Sequence, residues 1–198
     1  MTESQGDTMK KLTAVIVHIF FITTACLPFL ESGTTSGKGS QAPTAQPAAR
    51  QCNFNQQEAA FMEILMADGR QRRPALYCHP SILKAARQKA RDMAVRDYFG
   101  HTSPDGIGPN YLVRQTGYRL PASWGQNRDA NNIESISAGR ATARQTYDSW
   151  LTSPGHRRHI LGEIDFYASQ TVVAIGYHYE PNSRYKHYWV FLSVPPEQ

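Results

Sequence analysis

The sequence predicts an α+β domain in which helices come first and an antiparallel sheet comes last. From position 56 to position 151, apolar residues recur at helical spacing, in stretches bounded by capping residues, proline and glycine. From Val173 to Val194 the spacing changes to alternation, in two runs separated by the turn-forming stretch 180–183. Such runs indicate an antiparallel hairpin. Helices and strands in separate parts of the chain favour helices packed on an antiparallel sheet.

Capping signals place the first two helices. Asn55 and Glu58 form the pattern of a capping box, so a helix is predicted over 56–68. A second helix is predicted to begin at Pro80, with small and apolar residues every three or four positions, and to end at Gly100.

Two further helices are predicted before the strands. A short one covers 110–115 and is closed by a glycine. A longer one begins at Thr142, where Gln145 completes a second capping box, and it ends at Pro154 and Gly155. The stretch 118–132 between these two helices reads as a loop, and Ile133-Glu134-Ser135-Ile136 follows it.

The composition is that of a globular protein with a mildly basic surface. Hydrophobic residues make up 40% of the 198 positions and charged residues 19%, with a net charge of +5. The length suggests one domain with additional material. The basic residues form no long block. The cluster of Arg70, Arg72 and Arg73 is not followed by aromatic residues that could stack bases, so nucleic acid is not expected as a partner.

The first 25 residues have the pattern of an export signal. Lys10 and Lys11 precede an apolar run over 12–22, which is too short to span a bilayer as a stable helix. Small residues follow, so cleavage after Ala25 is expected, with lipid attachment at Cys26 as the open alternative. The protein is therefore expected to be exported, either secreted or as a cell-envelope lipoprotein. Membrane contact is expected only through the signal or a lipid anchor.

Residues 26–51 are expected to be a flexible linker, and residues 52–198 the folded domain. The linker is rich in Ser, Gly, Pro and Thr, and it has too few large apolar side chains to offset the entropy of ordering. If Cys26 lies in the signal or carries lipid, Cys52 and Cys78 are the remaining cysteines. An oxidising compartment favours a disulfide between them. Two free buried thiols are the alternative.

Two histidines from distant parts of the chain are the candidate site. His101 and His156 each follow a glycine directly, and Glu134 lies between them in sequence. Two imidazoles and a carboxylate are the ligand types of a catalytic zinc site, so these three residues are candidate ligands of a divalent metal. In the alternative reading, each imidazole satisfies backbone groups at its turn, and Glu134 caps a helix or pairs with Arg140 or Arg144.

Other polar residues near these motifs have simpler expected roles. Ser153 is expected to end a helix, because no local base and acid could activate it as a nucleophile. His159 lies three positions after His156, on one side of a short helix, and is expected to contact solvent. Tyr188 and Trp189 are expected in the core of the sheet. The remaining histidines are expected at the surface or on strands: His79, His178 and His187.

Several motifs follow one another in the order of a known family. They are Phe99-Gly100-His101-Thr102-Ser103-Pro104-Asp105-Gly106, then Asn132-Ile133-Glu134, then Trp150-Leu151-Thr152-Ser153-Pro154-Gly155-His156-Arg157. With Ile175-Gly176 and Tyr188-Trp189, they make the stretch from Glu58 to Val194 resemble the bacterial branch of the CAP superfamily. These are SCP domains, which include cysteine-rich secretory proteins, antigen 5 and pathogenesis-related 1 proteins.

The resemblance implies a three-layer α-β-α sandwich with a central, largely antiparallel sheet. It also implies a cleft with two histidines and acidic residues, which in relatives can bind a divalent metal. His101 matches the first family histidine and His156 the second. The family's first acid lies in Gly-Glu-Asn-Ile, whereas here Glu134 follows the isoleucine and would replace that acid by a change of register. The second acid's position holds Ser153.

The leading functional hypothesis is an exported, non-enzymatic and monomeric binding module. Its cleft would bind a small apolar molecule, a peptide or a cell-envelope component, with or without a divalent metal such as zinc. The first alternative is a metal-dependent hydrolase with Glu134 as the general base and the two histidines as ligands. The second alternative is a structural or adhesive protein of the envelope.

Overall fold

A computed structural model describes residues 52–197. The signal peptide, the lipidation at Cys26 and the linker therefore lie outside the described residues and stay predictions. No helix within the described range is both long and apolar enough to cross a membrane. The secondary-structure elements in chain order are α1 (Gln56–Ala67), α2 (Pro80–Val95), α3 (Pro109–Gln115), a 3₁₀ turn (Ala122–Trp124), β1 (Glu134–Ala138), α4 (Ala143–Thr152), α5 (Pro154–Leu161), α6 (Asp165–Ala168), β2 (Val172–Tyr179) and β3 (His187–Val194).

The three strands form an antiparallel sheet in the order β1-β3-β2, with helices on both faces. The hairpin predicted from alternation is confirmed as β2–β3. Alternate residues of β3 face opposite layers. Val190 and Leu192 pack against α2 in one core, and Trp189 and Phe191 pack with α1, α4 and α5 in the other. The expected α+β sandwich with a central antiparallel sheet is therefore confirmed, and Tyr188 and Trp189 are buried in it as expected.

The capping box of α1 forms as the sequence predicts. The Asn55 side chain accepts from the N–H of Glu58, and the Glu58 carboxylate accepts from the N–H of Asn55, each at 2.9 Å. The Glu58 carboxylate is also buried against the guanidinium of Arg87, at 2.5 Å. One side chain therefore caps α1 and ties it to α2.

Helix α2 follows the predicted face but ends early. Its buried residues repeat at helical spacing and cover one face of the sheet. The prediction that Gly100 ends the helix is wrong, because α2 ends at Val95. The chain reverses at Asp97, which adopts a left-handed φ of 49°. Residues 96–100 are consequently a loop between the end of α2 and His101, so His101 does not continue the helix.

Helices α4 and α5 are joined at Ser153, which is the C-cap of one and the N-cap of the other. The helix that starts after Thr142 therefore ends just before Pro154 and Gly155, as predicted, but a second helix follows in place of the turn expected at His156. Proline is well suited to the first turn of a helix, where its missing N–H has no partner to lose, and Pro154 begins α5. His156 consequently lies in the first turn of a helix.

A disulfide joins Cys52 to Cys78, with the two Cα atoms 5.9 Å apart. This confirms the pairing expected for an exported domain. The bond fastens the start of the domain to the segment before α2. The next residue back, Tyr77, forms an isolated parallel bridge with Val172 at the start of β2.

Candidate functional site

A cleft of about 420 Å³ lies beside β1, the strand at one edge of the sheet. Residues 136–138 of β1 line it, and the end of α4 and the start of α5 form one wall. Aromatic rings from three parts of the chain also border the cleft: Phe99, Trp150 and Tyr185.

The polar lining of this cleft is uncharged or basic. Among the described residues, no aspartate or glutamate lines it, and Arg140 provides its permanent charge. His156 reaches it from α5. Hydroxyl groups complete the lining, from Ser137, Ser149, Thr152 and Ser153. The cleft therefore offers many hydrogen-bond donors together with positive charge, and no carboxylate to repel an anion.

His101 and Glu134, both predicted as site residues, are in direct contact. Nδ1 of His101 lies 2.8 Å from Oε1 of Glu134. The His101 side chain is 44% exposed, whereas that of Glu134 is fully buried at the start of β1. Asn131 holds the backbone there, because its side-chain oxygen accepts from the N–H of Glu134 at 2.9 Å. The partner of Glu134 is thus His101, not Arg140 or Arg144 as in the alternative reading.

Burial dominates the electrostatics of Glu134. Loss of solvent raises the pKa of this carboxyl, while the hydrogen bond from His101 and the positive charge of Lys89 act in the opposite direction. Lys89 is itself nearly buried in α2, and burial lowers its pKa. Oε2 of Glu134 is buried and has no hydrogen-bond partner within residues 52–197. The carboxyl is therefore enclosed behind His101 and does not line the cleft.

His156 lines the cleft from α5, and its ring lies 6.4 Å from that of Trp150, between centroids. Burial lowers the pKa of His156, and the charge of His101 lowers it further. His101 contacts Glu134 at the start of β1, and His156 lines the cleft together with residues 136–138 of the same strand. The two histidines that are distant in sequence are therefore both positioned along β1, with His156 in the cleft and His101 beside Glu134.

The three candidate metal ligands do not gather into one coordination group. Within residues 52–197, no three His, Cys, Asp or Glu side chains come together in a way that could hold a metal ion. Protein zinc sites use three or four side chains, and here Oε1 of Glu134 is already bonded to His101. The residues present therefore do not fit a three-ligand site, and binding of a divalent metal stays a prediction.

His159 is buried, so the expectation that it contacts solvent is wrong. Only 3% of it is exposed, and its ring lies between Ser135 of β1 and Ser193 of β3, at 2.7 and 2.8 Å. It lies in the last turn of α5, where Ile160 and Leu161 are also fully buried. Those two apolar neighbours were the sequence signal that this turn of the helix is in the interior.

The hydrogen bonds around His159 determine its tautomer. Ser193 donates its hydroxyl hydrogen to Oε1 of Gln170 at 2.6 Å, so it accepts from Nε2–H of His159. Nδ1 of His159 therefore accepts from the hydroxyl of Ser135. Burial and the charge of Arg73 hold the pKa of His159 well below its ordinary value. The imidazole is thus a neutral structural link between α5 and the sheet.

Arg73 completes this interior network and was missed as a core residue in the sequence. Its guanidinium donates to the main-chain oxygens of His159, Ile160 and Gln170 at 2.7–2.8 Å. These bonds fix the end of α5, and they position His156, which is one turn earlier on the same helix. Because Arg73 lies in a polar loop in the sequence, no local pattern distinguished it from its exposed neighbours.

A central antiparallel sheet between helical layers, with two histidines near one edge, defines an SCP-type domain. The model of the cysteine-rich secretory protein family, CAP, matches residues 69–193, which is more than half of the chain, and the chain belongs to this family. The resemblance inferred from the histidine motifs is confirmed.

Individual relatives are similar to parts of the chain. The uncharacterized protein YkwD of Bacillus subtilis (strain 168) is 28% identical over 97 residues, which cover 49% of this chain and 32% of that protein. The chain thus spans about a third of that relative's length.

Two solved structures share the fold. An extracellular protein containing a SCP domain from Bacillus anthracis str. Ames is 19% identical, with a TM-score of 0.51, and the match covers 70% of this chain and 41% of that one. An outer surface protein from Borrelia burgdorferi is 15% identical, with a TM-score of 0.50, and the match covers 70% of this chain and 91% of that one.

Proposed function

We propose that this protein is an exported binding module whose cleft beside β1 holds an acidic ligand with an apolar portion, such as a peptide or a cell-envelope component. The observation that carries the proposal is the lining of the cleft. Aromatic rings, hydroxyl groups and Arg140 surround it, and no carboxylate from the described residues does. Export is part of the proposal, and the sequence of residues 1–25 supports it.

The chemistry of the lining favours an anion carried on an apolar body. The guanidinium of Arg140 is permanently charged and matches the geometry of a carboxylate. The rings of Phe99 and Tyr185 lie 5.8 Å apart between centroids and offer an apolar surface to the rest of the ligand. Pockets that combine apolar walls with a few placed polar groups are typical of small-molecule and peptide sites.

The position of Glu134 favours binding over hydrolysis. A general base must come within hydrogen-bond reach of the group it deprotonates. The side chain of Glu134 is fully buried and already bonded to His101, and it does not line the cleft. Its role is to orient the imidazole of His101, which leaves the cleft without an available carboxylate base.

Calorimetric titration tests the proposal, with three probe sets: short N-acetylated peptides with free carboxylates, soluble peptidoglycan fragments and fatty acids. We expect at least one carboxylate-bearing probe to bind, and Arg140→Ala to weaken it about tenfold or more, because a charge-assisted hydrogen bond is lost. Arg144→Ala is the matched control, since Arg144 is exposed on α4 and pairs with Asp148 outside the cleft.

Two results would overturn the proposal. One is that none of the three probe sets binds. The other is that Arg140→Ala and Arg144→Ala bind every probe as tightly as the unmodified protein. Circular dichroism of both variants would establish that each is folded.

A further inference from the structure

The main chain of β1 is paired on one side only. Its partner is β3, and within residues 52–197 no strand lies on its other side. The N–H of Ser193 donates to the oxygen of Ile133 at 3.0 Å, and the N–H of Gly139 donates to the oxygen of His187 at 2.9 Å. Because antiparallel hydrogen bonding alternates along a strand, the odd-numbered residues of β1 point their backbone groups at β3.

The even-numbered residues therefore point their N–H and C=O groups away from β3, on the side of the cleft. One bond confirms this direction, since the indole nitrogen of Trp150 donates to the oxygen of Ile136 at 3.1 Å. After Ala138 the strand ends, because Gly139 adopts a left-handed φ of 81°. Ala138 is the last even-numbered residue of β1, and its own N–H and C=O have no hydrogen-bond partner within the described residues.

Ala138 also lines the cleft, together with Ile136 and Ser137. A donor and an acceptor on the same edge residue form the pattern that an added antiparallel strand requires. One residue of an extended chain would accept from the N–H of Ala138 and donate to its C=O. The N–H of Ile136 points the same way and has no hydrogen-bond partner within residues 52–197, so it faces the peptide residue two positions along from the one opposite Ala138.

We infer that the ligand of the cleft is an extended peptide, held by strand addition to the open edge of β1 at Ala138. This rests on the proposed function and names its ligand class. A fatty acid or a glycan lacks the alternating N–H and C=O groups that match this edge. The edge is short because the indole of Trp150 occupies the carbonyl of Ile136 on one side of Ala138 and the strand ends at Ala138 on the other, so recognition is confined to a few residues.

The walls of the cleft fit the side chains of such a peptide. Successive side chains of a strand point to opposite faces of the sheet. Tyr185, which packs against the core of α2, borders the cleft with Phe99, whose ring it contacts. Trp150, which belongs to the core of α1, α4 and α5, borders it with His156. Arg140, just beyond Ala138, is placed to pair with a carboxylate of the peptide.

The direct test is a pentapeptide scan on the unmodified full-length protein. The parent probe is the pentapeptide that binds most tightly in a library of N-acetylated pentapeptides with free carboxylates. A set of derivatives is then made from it, each methylated at one backbone nitrogen. Methylation at the residue opposite Ala138 removes the donor to its carbonyl and is expected to weaken binding about tenfold or more. Methylation at the two adjacent residues, whose N–H groups point away, is expected to change binding less than threefold, roughly the size of a minor steric effect.

The second test changes the protein. Ala138→Pro removes the outward N–H, and it costs no bond to β3 because that N–H is not part of the ladder. We expect it to weaken the pentapeptide about tenfold, while Ala138→Ser, which keeps the N–H, binds like the unmodified protein. Hydrogen exchange gives an independent readout. The exchange rate of the Ala138 N–H is expected to fall when the pentapeptide saturates the protein, because that N–H then donates to the peptide.

The outcomes separate this inference from the proposed function. A pentapeptide that binds equally well when methylated at every position, with no change in exchange at Ala138, would overturn strand addition and leave the cleft as a binding site. Binding of fatty acids or peptidoglycan fragments without any pentapeptide binding would overturn it as well. Failure of every probe set would overturn the proposed function itself.

Discussion

Nε2 of His159 donates a hydrogen bond to Oγ of Ser193 across 2.8 Å, in the interior between α5 and the sheet. Burial keeps this imidazole neutral, since the pKa of His159 lies well below the ordinary value of 6.5. The unfolded chain binds a proton there below about pH 6.5, and the folded protein does not. The free energy of unfolding is therefore expected to fall as the pH drops below that value, by about 1.4 kcal/mol per pH unit.

Urea unfolding at a series of pH values between about 7.5 and 5 measures this dependence. His159→Gln is expected to have a lower free energy of unfolding at neutral pH, because the hydrogen bonds to Ser135 and Ser193 are broken. Its free energy of unfolding is also expected to fall less steeply as the pH drops. His178→Gln is the comparison, because burial lowers the pKa of His178 as well but the imidazole is outside the network. An unchanged slope in His159→Gln would contradict the prediction.

The disulfide between Cys52 and Cys78 is expected to contribute to stability through the unfolded chain. It closes a loop with a sequence separation of 26 residues. On the chain-entropy model such a loop is worth about 3–4 kcal/mol. Replacing both cysteines by alanine is expected to lower the free energy of urea unfolding by that amount. A loss of less than about 1 kcal/mol would show that the crosslink constrains little.

Gly176 of β2 lies directly against the main chain of Ala86 in α2. A Cβ at this position would be 2.5 Å from the nitrogen of Arg87, which is backbone and cannot move aside. Gly176→Ala is therefore expected to cost about 1–3 kcal/mol or more of unfolding free energy, because the helix must shift off the sheet. Thermal and urea unfolding measure the cost.

The matched control is Gly155→Ala in α5. A Cβ there has nothing within 4 Å, and alanine favours a helix. This variant is expected to be neutral or slightly more stable, within about 1 kcal/mol. Equal costs at the two positions would contradict the packing explanation for Gly176.

Zinc is expected to bind weakly. Of the described residues, His156 lines the cleft and His101 contacts Glu134 at the start of β1, and these two imidazoles are fewer than the three or four ligands of protein zinc sites. Competition with a chelator is expected to give a micromolar or weaker dissociation constant for zinc. The double variant His101→Ala with His156→Ala is expected to lose zinc binding. His178→Ala with His187→Ala is the control pair. Tight binding that survives the first double variant would contradict this prediction.

Local signals in the sequence were sufficient for the family, for four of the helices and for the hairpin, but not for β1, α5, α6 or the end of α2. Asn55 with Glu58 places the start of α1, because a capping box involves residues only three positions apart. Alternation predicts the hairpin for the same reason, since period two is a property of a single strand. Both conclusions depend on neighbours in sequence, which the chain itself specifies. The disulfide was predicted differently, by counting the cysteines of a chain that is expected to be exported.

Only the tertiary structure decided what the site residues contact. It buried His159 between Ser135 and Ser193, because the face that α5 turns to the sheet depends on packing with distant strands. It also enclosed Glu134 behind His101, although the sequence suggested both as metal ligands. The open backbone of Ala138 depends on which strand lies at the edge, and strand order is set by long-range pairing that no local pattern encodes.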